Sequence, residues 1–245
     1  MSTRMGPRDM WAIQWVAEMR GVPMNVLADL LGSSETNAYR VVSRWREAGL
    51  VAQEVMRPVP GSQWVVPTAT VATSLLGFHC DTWIPGPKDA NHLMLTARVR
   101  LALAGNEPGV QDTWISERVL RRSSAHRPVV FGGERPHLHD GHWTDDFGRL
   151  HAIEVELTRK GSADLHKTVV AAYTAAKNAD AHDLIYYCST TEVAARVQST
   201  AQAELRIKTT DPGFVVRPLD ALLNPKKTDE DEDTAPGLSA AGGAA

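Results

Sequence analysis

The feature that most constrains the fold is an alternation of strand and helix patterns in the second half of the chain. The run L-H-A-I-E-V-E-L-T (150–158) reads as a strand, and an all-apolar strand of the kind buried in parallel sheets follows at 182–189. Helical periodicity fills 162–179 and 191–206, and a last strand is expected at 213–219. This alternation predicts an α/β domain around a partly parallel sheet.

The first part of the chain has the spacing of three short helices. Two of them are predicted within 7–21 and 23–32, each beginning at a proline and ending at a glycine, and Ser34 is the expected N-cap of the third. Helix, short helix, tight turn and helix is the helix-turn-helix arrangement. Two strands are expected around the Pro/Gly turn at 57–62, so this part predicts a winged helix-turn-helix.

The outward face of the third helix suits double-stranded DNA. Its apolar residues predict a buried face, which is made of Ala38, Val41, Val42 and Trp45. Polar side chains at the start of such a helix meet base edges, and arginines farther along it reach phosphates. The candidate DNA-binding residues are Thr36, Asn37, Arg40, Ser43, Arg44 and, in the wing, Arg57. The alternative is a winged helix used for dimerisation or another protein contact.

Composition and the positions of proline and glycine residues indicate the remaining domain boundaries. The predicted parts are a winged helix (1–68), a linker with Pro-Gly-Pro at 85–87 (69–89), an α/β domain (90–223) and an acidic disordered tail (224–245). The chain has 245 residues, a formal net charge of −3 and two cysteines without a CxxC spacing. This pattern favours neither export, nor a membrane span, nor a disulfide framework, so we expect a cytoplasmic protein without a membrane partner.

Two glutamates in the strand at 150–158 suggest a metal site. Residues two apart on a strand share a face, so Glu154 and Glu156 lie side by side between apolar neighbours. Asp140, one strand earlier, is their expected partner, and the arrangement matches the PD-(D/E)xK nucleases, which have the restriction-endonuclease fold. Asp140 and Glu154 are then the predicted ligands of Mg²⁺ or Mn²⁺, whose chemistry is phosphodiester hydrolysis.

Further residues complete this candidate site. Glu156 occupies the place of the usual lysine, Lys160 can return its ammonium from just beyond the strand, and Glu117 can complete the acidic cluster. The predicted catalytic set is Glu117, Asp140, Glu154, Glu156 and Lys160. Two alternatives stay open. The paired glutamates can lie on a solvated sheet face, matched by basic neighbours. Alternatively, His137 and His139, which are expected to share a strand face, can bind zinc.

Three motifs in this order carry a family resemblance. They are W-x-S-E-R-x-L-R-R (114–122), H-x-x-D-G (137–141) and A-I-E-V-E-L-T-x-K (152–160), followed by a helix that carries Tyr173. Over roughly residues 7 to 220 the chain resembles the replication-relaxation family of actinobacterial and other Gram-positive plasmids, integrative elements and phages. At Leu138 and His139 it departs from the pattern, which usually has a proline before the aspartate.

The resemblance implies DNA binding tied to replication or mobilisation of a mobile genetic element. Two functions are compatible with it. One is a Mg²⁺-dependent DNA nickase or endonuclease. The other is a non-catalytic DNA-binding or regulatory factor, whose degenerate nuclease fold serves DNA contact or formation of a homodimer.

Overall fold

The computed structural model describes residues 5–108, 113–124 and 136–225. Its first three helices are α1 (Pro7–Glu18), α2 (Met24–Leu30) and α3 (Glu35–Glu47). Pro7 stands at the first position of α1, where a helix needs no N–H donor. The Ser34 hydroxyl accepts a hydrogen bond from the Asn37 N–H at 3.3 Å, so the predicted N-cap of α3 is confirmed.

The three helices enclose one apolar core. Its fully buried side chains include Ile13, Val16, Leu27, Leu30, Val42 and Trp45. Burying a side chain of this size stabilises the fold by about 1.5–3 kcal/mol. The Trp45 indole N–H also donates to the Asp9 carboxylate at 2.9 Å, which joins α3 to the first turn of α1. The predicted buried face of α3 is thereby confirmed for Ala38, Val42 and Trp45, and Val41 is partly buried against the same core.

The segment after α3 is less regular than predicted. Within 51–67, all of which the structure describes, the expected pair of strands reduces to β2 (Trp64–Val65) and two isolated bridges, Val51 to Pro67 and Met56 to Trp64. The strand β2 pairs antiparallel with β1 (Val22–Pro23), which precedes α2. Prolines lack the N–H that a ladder needs, and those in this segment keep the pairing short.

Part of the predicted linker, 69–89, is a packed helix. α4 (Ala69–Leu76) begins after the N-cap Thr68 and ends at Gly77, whose φ of 71° lies in the left-handed region that favours glycine. Ala72 of α4 and the free thiol Cys80 are buried against α1. The Pro-Gly-Pro motif marks the start of the next helix rather than a spacer.

That next helix, α5 (Pro87–Ala104), belongs to both parts of the chain. Ala97 packs into the first core, while Val99 packs against the sheet described below. The Arg100 side chain is fully buried, forms an ion pair of 2.8 Å with Glu18 and lies 4.5 Å from the centre of the Trp15 ring. The two parts are therefore packed together through α5.

A five-stranded mixed sheet carries the second part. Its strands, in their spatial order, are β3 (Trp114–Ser116), β4 (Gly141–Thr144), β5 (Leu150–Glu156), β6 (Asp183–Cys188) and β7 (Gly213–Pro218). The first three are antiparallel, and β5, β6 and β7 are parallel. Parallel neighbours need a crossover, which α7 (Ser162–Asn178) and α8 (Thr191–Glu204) provide.

Helices cover both faces of the sheet. α7 and α8 pack on the face that presents Ala152 and Leu184, and α5 packs with α9 (Leu219–Leu223) on the face that presents Ile153 and Ile185. A further helix, α6 (Glu117–Ser124), follows β3 directly. The chain thus forms three layers, helix, sheet and helix.

The predicted mixed α/β class is confirmed, with corrections in detail. β3, α4 and α9 are additional elements. His137, His139 and Asp140 precede β4 in an irregular segment, so the prediction that the two histidines share a strand face is wrong. Nearly all of the predicted acidic tail lies outside the described residues. None of the described helices has the length and apolar character required to span a membrane.

Candidate functional site

Asp140 is fixed to the strand that carries the two glutamates. Gly141 pairs with Ile153, so the residue just before β4 lies beside the middle of β5. The Asp140 carboxylate accepts a hydrogen bond of 2.7 Å from the Val155 N–H, and its other oxygen lies 2.8 Å from His92 Nε2. Backbone pairing therefore determines the position of this acid relative to β5.

Glu154 and Glu156 lie on one face of β5 and are both buried, at 9% and 6% exposure. The alternative of a solvated carboxylate pair is therefore wrong. A buried charge is costly unless a partner compensates it. Glu154 lies 2.8 Å from His137 Nε2, and Glu156 accepts a hydrogen bond from the Lys160 ammonium. Lys160 does return toward the strand, as the sequence predicts, and contacts Glu156 there.

The three carboxylates act together on His92. Burial alone would lower the pKa of His92, but its hydrogen bond to Asp140 and the charges of Asp140, Glu154 and Glu156 raise it to about 9. Burial raises the pKa of Glu154, against the hydrogen bond from His137. The site therefore has strong negative potential, which imidazolium groups balance in the absence of another cation.

One buried hydroxyl beside these acids lacks a partner. Tyr186 is the registered neighbour of Glu154 on β6 and is 1% exposed. Its hydroxyl has no hydrogen-bond partner among the described residues. Burial, and then the charges of Glu154, Glu156 and Asp140, raise the pKa of this phenol well above its usual range, so it stays a neutral donor. A hydroxyl of this kind requires an acceptor within its reach.

A histidine cluster adjoins the carboxylates on the other side of Glu154. Ligand atoms of His137, His139 and Glu154 all lie within 4.8 Å of one another. His139 Nε2 lies 3.0 Å from the Ala172 carbonyl oxygen, and its Nδ1 lies 3.1 Å from His142 Nε2. Burial lowers the pKa of His139 to about 4, so its imidazole is neutral at pH 7.

A cavity of about 320 Å³ reaches Asp140 from outside. Asp140, His92 and Glu117 contribute to its lining, together with arginine side chains. The Glu117 carboxylate forms ion pairs with Arg20, at 3.3 Å, and with Arg121. Glu117 thus lies near Asp140, as predicted, but it is already neutralised by arginines and does not join the ligand atoms around Glu154.

Arginines of α6 are site residues that were not predicted from the sequence. Arg118 and Arg121 line the cavity at Asp140, and with Arg20 and Arg122 they line a neighbouring cavity of about 290 Å³. Arg118 and Arg121 are three positions apart on a helix, a spacing that places them on one face. This spacing in the sequence could have indicated a basic face on the helix. His92 had no comparable signal, because a single histidine in a helix has no distinctive pattern.

The candidate DNA-binding residues of α3 are all at the surface. The exposed set is Thr36, Asn37, Arg40, Ser43 and Arg44, and Arg57 is exposed in the irregular segment before β2. Arg44 forms an ion pair of 3.2 Å with Asp9, and Arg40 contacts the Asn37 side chain at 3.5 Å. Both contacts are at the solvent-facing surface, where exchange for a phosphate costs little. Arg46, by contrast, donates to the Ala52 carbonyl oxygen.

Comparison of the chain with protein-family models, with curated proteins and with solved structures found no match. The function therefore has to follow from the geometry of the described residues. That geometry offers a basic helix surface, a buried carboxylate cluster beside an arginine-lined cavity, and a pair of histidines next to Glu154.

Proposed function

We propose that this protein binds double-stranded DNA through a winged helix in residues 1–68 and hydrolyses a phosphodiester bond at a restriction-endonuclease-like site in residues 90–223. The observation that carries the proposal is the hydrogen bond that the Asp140 carboxylate accepts from the N–H of Val155. Val155 stands between the two buried glutamates of β5. DNA binding in the replication or mobilisation of a mobile element is the role that the family resemblance suggests.

The order of elements supports this architecture. The helix α2 is followed by a tight turn and the capped helix α3. The strand β2, which comes after α3, pairs with β1, which comes before α2. In the second part, an antiparallel group of three strands is followed by a helix and a parallel strand. An acid before the second of these strands and an acid in the third match the acid positions of the PD-(D/E)xK pattern, with Glu156 where that pattern usually has a lysine.

The donor atoms near Asp140 fit a hard divalent cation. Mg²⁺ and Mn²⁺ prefer carboxylate oxygen and water, and Asp140 and Glu154 are the residues that would hold such an ion. The unpartnered Tyr186 hydroxyl beside Glu154 fits a hydrated ion, since a metal-bound water offers it an acceptor oxygen. When bound, the cation lowers the pKa of water and neutralises charge on the phosphate. Glu156, with Lys160 against it, is placed to accept a proton from the attacking water.

The arginines around the cavity have a separate role in this proposal. Arg20, Arg118 and Arg121 surround an opening that leads to Asp140. Guanidinium groups bind phosphates in a bidentate manner, so these side chains would position a DNA strand against the carboxylates. Arg20 and Arg121 pair with Glu117, which holds these two guanidinium groups close together until phosphates replace that partner.

A second candidate function also has an observation in its favour. Each carboxylate already has an internal partner, namely His92 for Asp140, His137 for Glu154 and Lys160 for Glu156. Such a network can replace a metal ion structurally. The protein would then be a DNA-binding or regulatory factor whose nuclease-like part contacts DNA or a second copy of the chain without turnover.

Incubation of the purified full chain with supercoiled element DNA and Mg²⁺ or Mn²⁺ separates the two functions. The nuclease proposal predicts metal-dependent conversion to nicked or linear DNA, lost in Asp140→Asn and retained in the matched variant Asp146→Asn, since Asp146 is an exposed turn residue. Binding in a mobility-shift titration with an unchanged supercoiled band would favour the non-catalytic function. Absence of both binding and cleavage would contradict both.

A further inference from the structure

We infer that His137, His139 and Glu154 form a site for a borderline transition-metal cation of the zinc class, which adjoins the proposed hard-cation site and shares Glu154 with it. Nitrogen and oxygen atoms of the three residues lie within 4.8 Å of one another. Around a tetrahedral ion with bonds of about 2.0–2.1 Å, ligand atoms are roughly 3.3 Å apart. Small side-chain rotations are therefore enough to close the site.

The contacts of His139 leave one of its ring nitrogens able to bind a metal. A carbonyl oxygen can only accept, so the contact of 3.0 Å to Ala172 assigns the proton to Nε2. Nδ1 then carries the lone pair, and it points away from the backbone that fixes the ring. Metal-bound histidines usually donate their second N–H to such a carbonyl, which sets the tautomer and the ring plane.

His142 explains how the metal-free protein accommodates that lone pair. Its Nε2 lies 3.1 Å from His139 Nδ1, where its N–H donates a hydrogen bond. Metal binding would replace this hydrogen bond and would also replace the contact of 2.8 Å between His137 and Glu154.

The donor set selects the class of cation. Two imidazole nitrogens and one carboxylate suit Zn²⁺, Co²⁺ or another late transition metal, whereas Mg²⁺ prefers oxygen ligands alone. Sites with three protein ligands leave one position for water or another small ligand. A cavity of about 140 Å³ adjoins His137, His139 and His142, so there is space for such a ligand.

Metal titration of the full chain without an affinity tag tests the site in the absence of DNA. No Mg²⁺ is added, because Mg²⁺ at the proposed hard-cation site would compete for Glu154. Zn²⁺ binding is measured by calorimetry, while Co²⁺ reports imidazole coordination through its visible absorption. We expect saturable one-to-one binding of both ions. His137→Ala and Glu154→Gln should each weaken Zn²⁺ binding by at least about 100-fold, beyond the range usual for residues that only support a ligand.

His79→Ala is the matched control, because the His79 side chain is 83% exposed and lies away from the cluster. It should bind Zn²⁺ as the wild type does. His139→Ala removes the third ligand, and its far-ultraviolet circular dichroism shows whether the buried substitution is tolerated. If His139→Ala does not fold, the His137→Ala and Glu154→Gln variants test the site. Absence of saturable binding by the wild type, or retention of tight binding by either His137→Ala or Glu154→Gln, overturns the inference.

Discussion

The Asp140 carboxylate accepts a hydrogen bond of 2.7 Å from the backbone N–H of Val155, which ties the start of β4 to the middle of β5. The same side chain lies 2.8 Å from His92 Nε2 and lines the cavity at the protein surface. Asp140 thus connects β4 to β5, forms an ion pair with α5 and lines a cavity at the surface. Substitutions at this position test several parts of the account together.

Asp140→Ala should destabilise the metal-free protein. From charge alone, loss of one of three neighbouring acids would relieve repulsion, but the structure shows that it also leaves the Val155 N–H without its acceptor and His92 without its partner. Hydrogen bonds to charged groups contribute about 1.5–3 kcal/mol, so we expect a loss of at least about 2 kcal/mol in urea unfolding with EDTA. Asp146→Ala should change stability by less than about 0.5 kcal/mol. An Asp140→Ala protein as stable as the wild type would refute this.

His92 should make stability depend on pH. Its pKa in the folded protein is raised from 6.5 to about 9, so its contribution is complete below pH 6.5 and is lost as pH rises through 9. The stability difference between wild type and His92→Gln, measured in EDTA, should therefore be largest at acidic pH and smallest above pH 9. The side chain is 37% exposed, which reduces the size of the effect by solvent screening. A difference that stays constant with pH would count against the ion pair with Asp140.

The buried Arg100–Glu18 pair should couple the two parts of the chain. Arg100→Met removes a fully buried partner of the Glu18 carboxylate, and loss of one member of a buried ion pair costs about 3–5 kcal/mol. Arg98→Met is the matched control, because its pair with Asp29 is at the surface and is worth at most about 1 kcal/mol. Adding Glu18→Leu to Arg100→Met should recover part of the loss in chemical unfolding. Equal effects of Arg98→Met and Arg100→Met would contradict this coupling.

Replacement of Arg40 and Arg44 together by alanine should weaken DNA binding without unfolding the protein. Both side chains are exposed, and the Arg44–Asp9 pair is a surface contact of small energy. Each lost phosphate contact should reduce the salt dependence of log K by about 0.9. A mobility-shift titration at several salt concentrations measures this, with Arg206→Ala and Lys208→Ala together as the charge-matched control. Unchanged affinity in the Arg40/Arg44 variant would place the DNA contact elsewhere.

Much of the fold followed from local sequence pattern. The apolar periods of α1, α3, α7 and α8 and the run that forms β6 were long enough to identify, and Ser34 marked the start of α3. α4 was missed because its threonines and valine are weak helix formers, and its stability comes from packing on α1. β3 was missed because Trp114–Ser116 is too short for a period to appear.

The candidate site was predictable only in part, for a physical reason. The spacing of Glu154 and Glu156 placed them on one strand face, since a strand alternates sides at every residue. Their burial depends on α7 and α8, and the approach of His92 depends on the packing of α5, which are tertiary facts. The proximity of His139 to Glu154 likewise arises from an irregular segment whose path no periodicity describes.

Thermal unfolding in Mg²⁺ shows whether Asp140 and Glu154 bind a divalent cation. If Asp140 and Glu154 hold a hard cation, rising Mg²⁺ should raise the melting temperature of the wild type by linkage, relative to EDTA. Asp140→Asn should show no such rise, whereas His139→Ala should keep it, since Mg²⁺ prefers oxygen ligands to imidazole. A wild-type melting temperature that does not respond to Mg²⁺, or an equal response in Asp140→Asn, would contradict a divalent-cation site between these two acids.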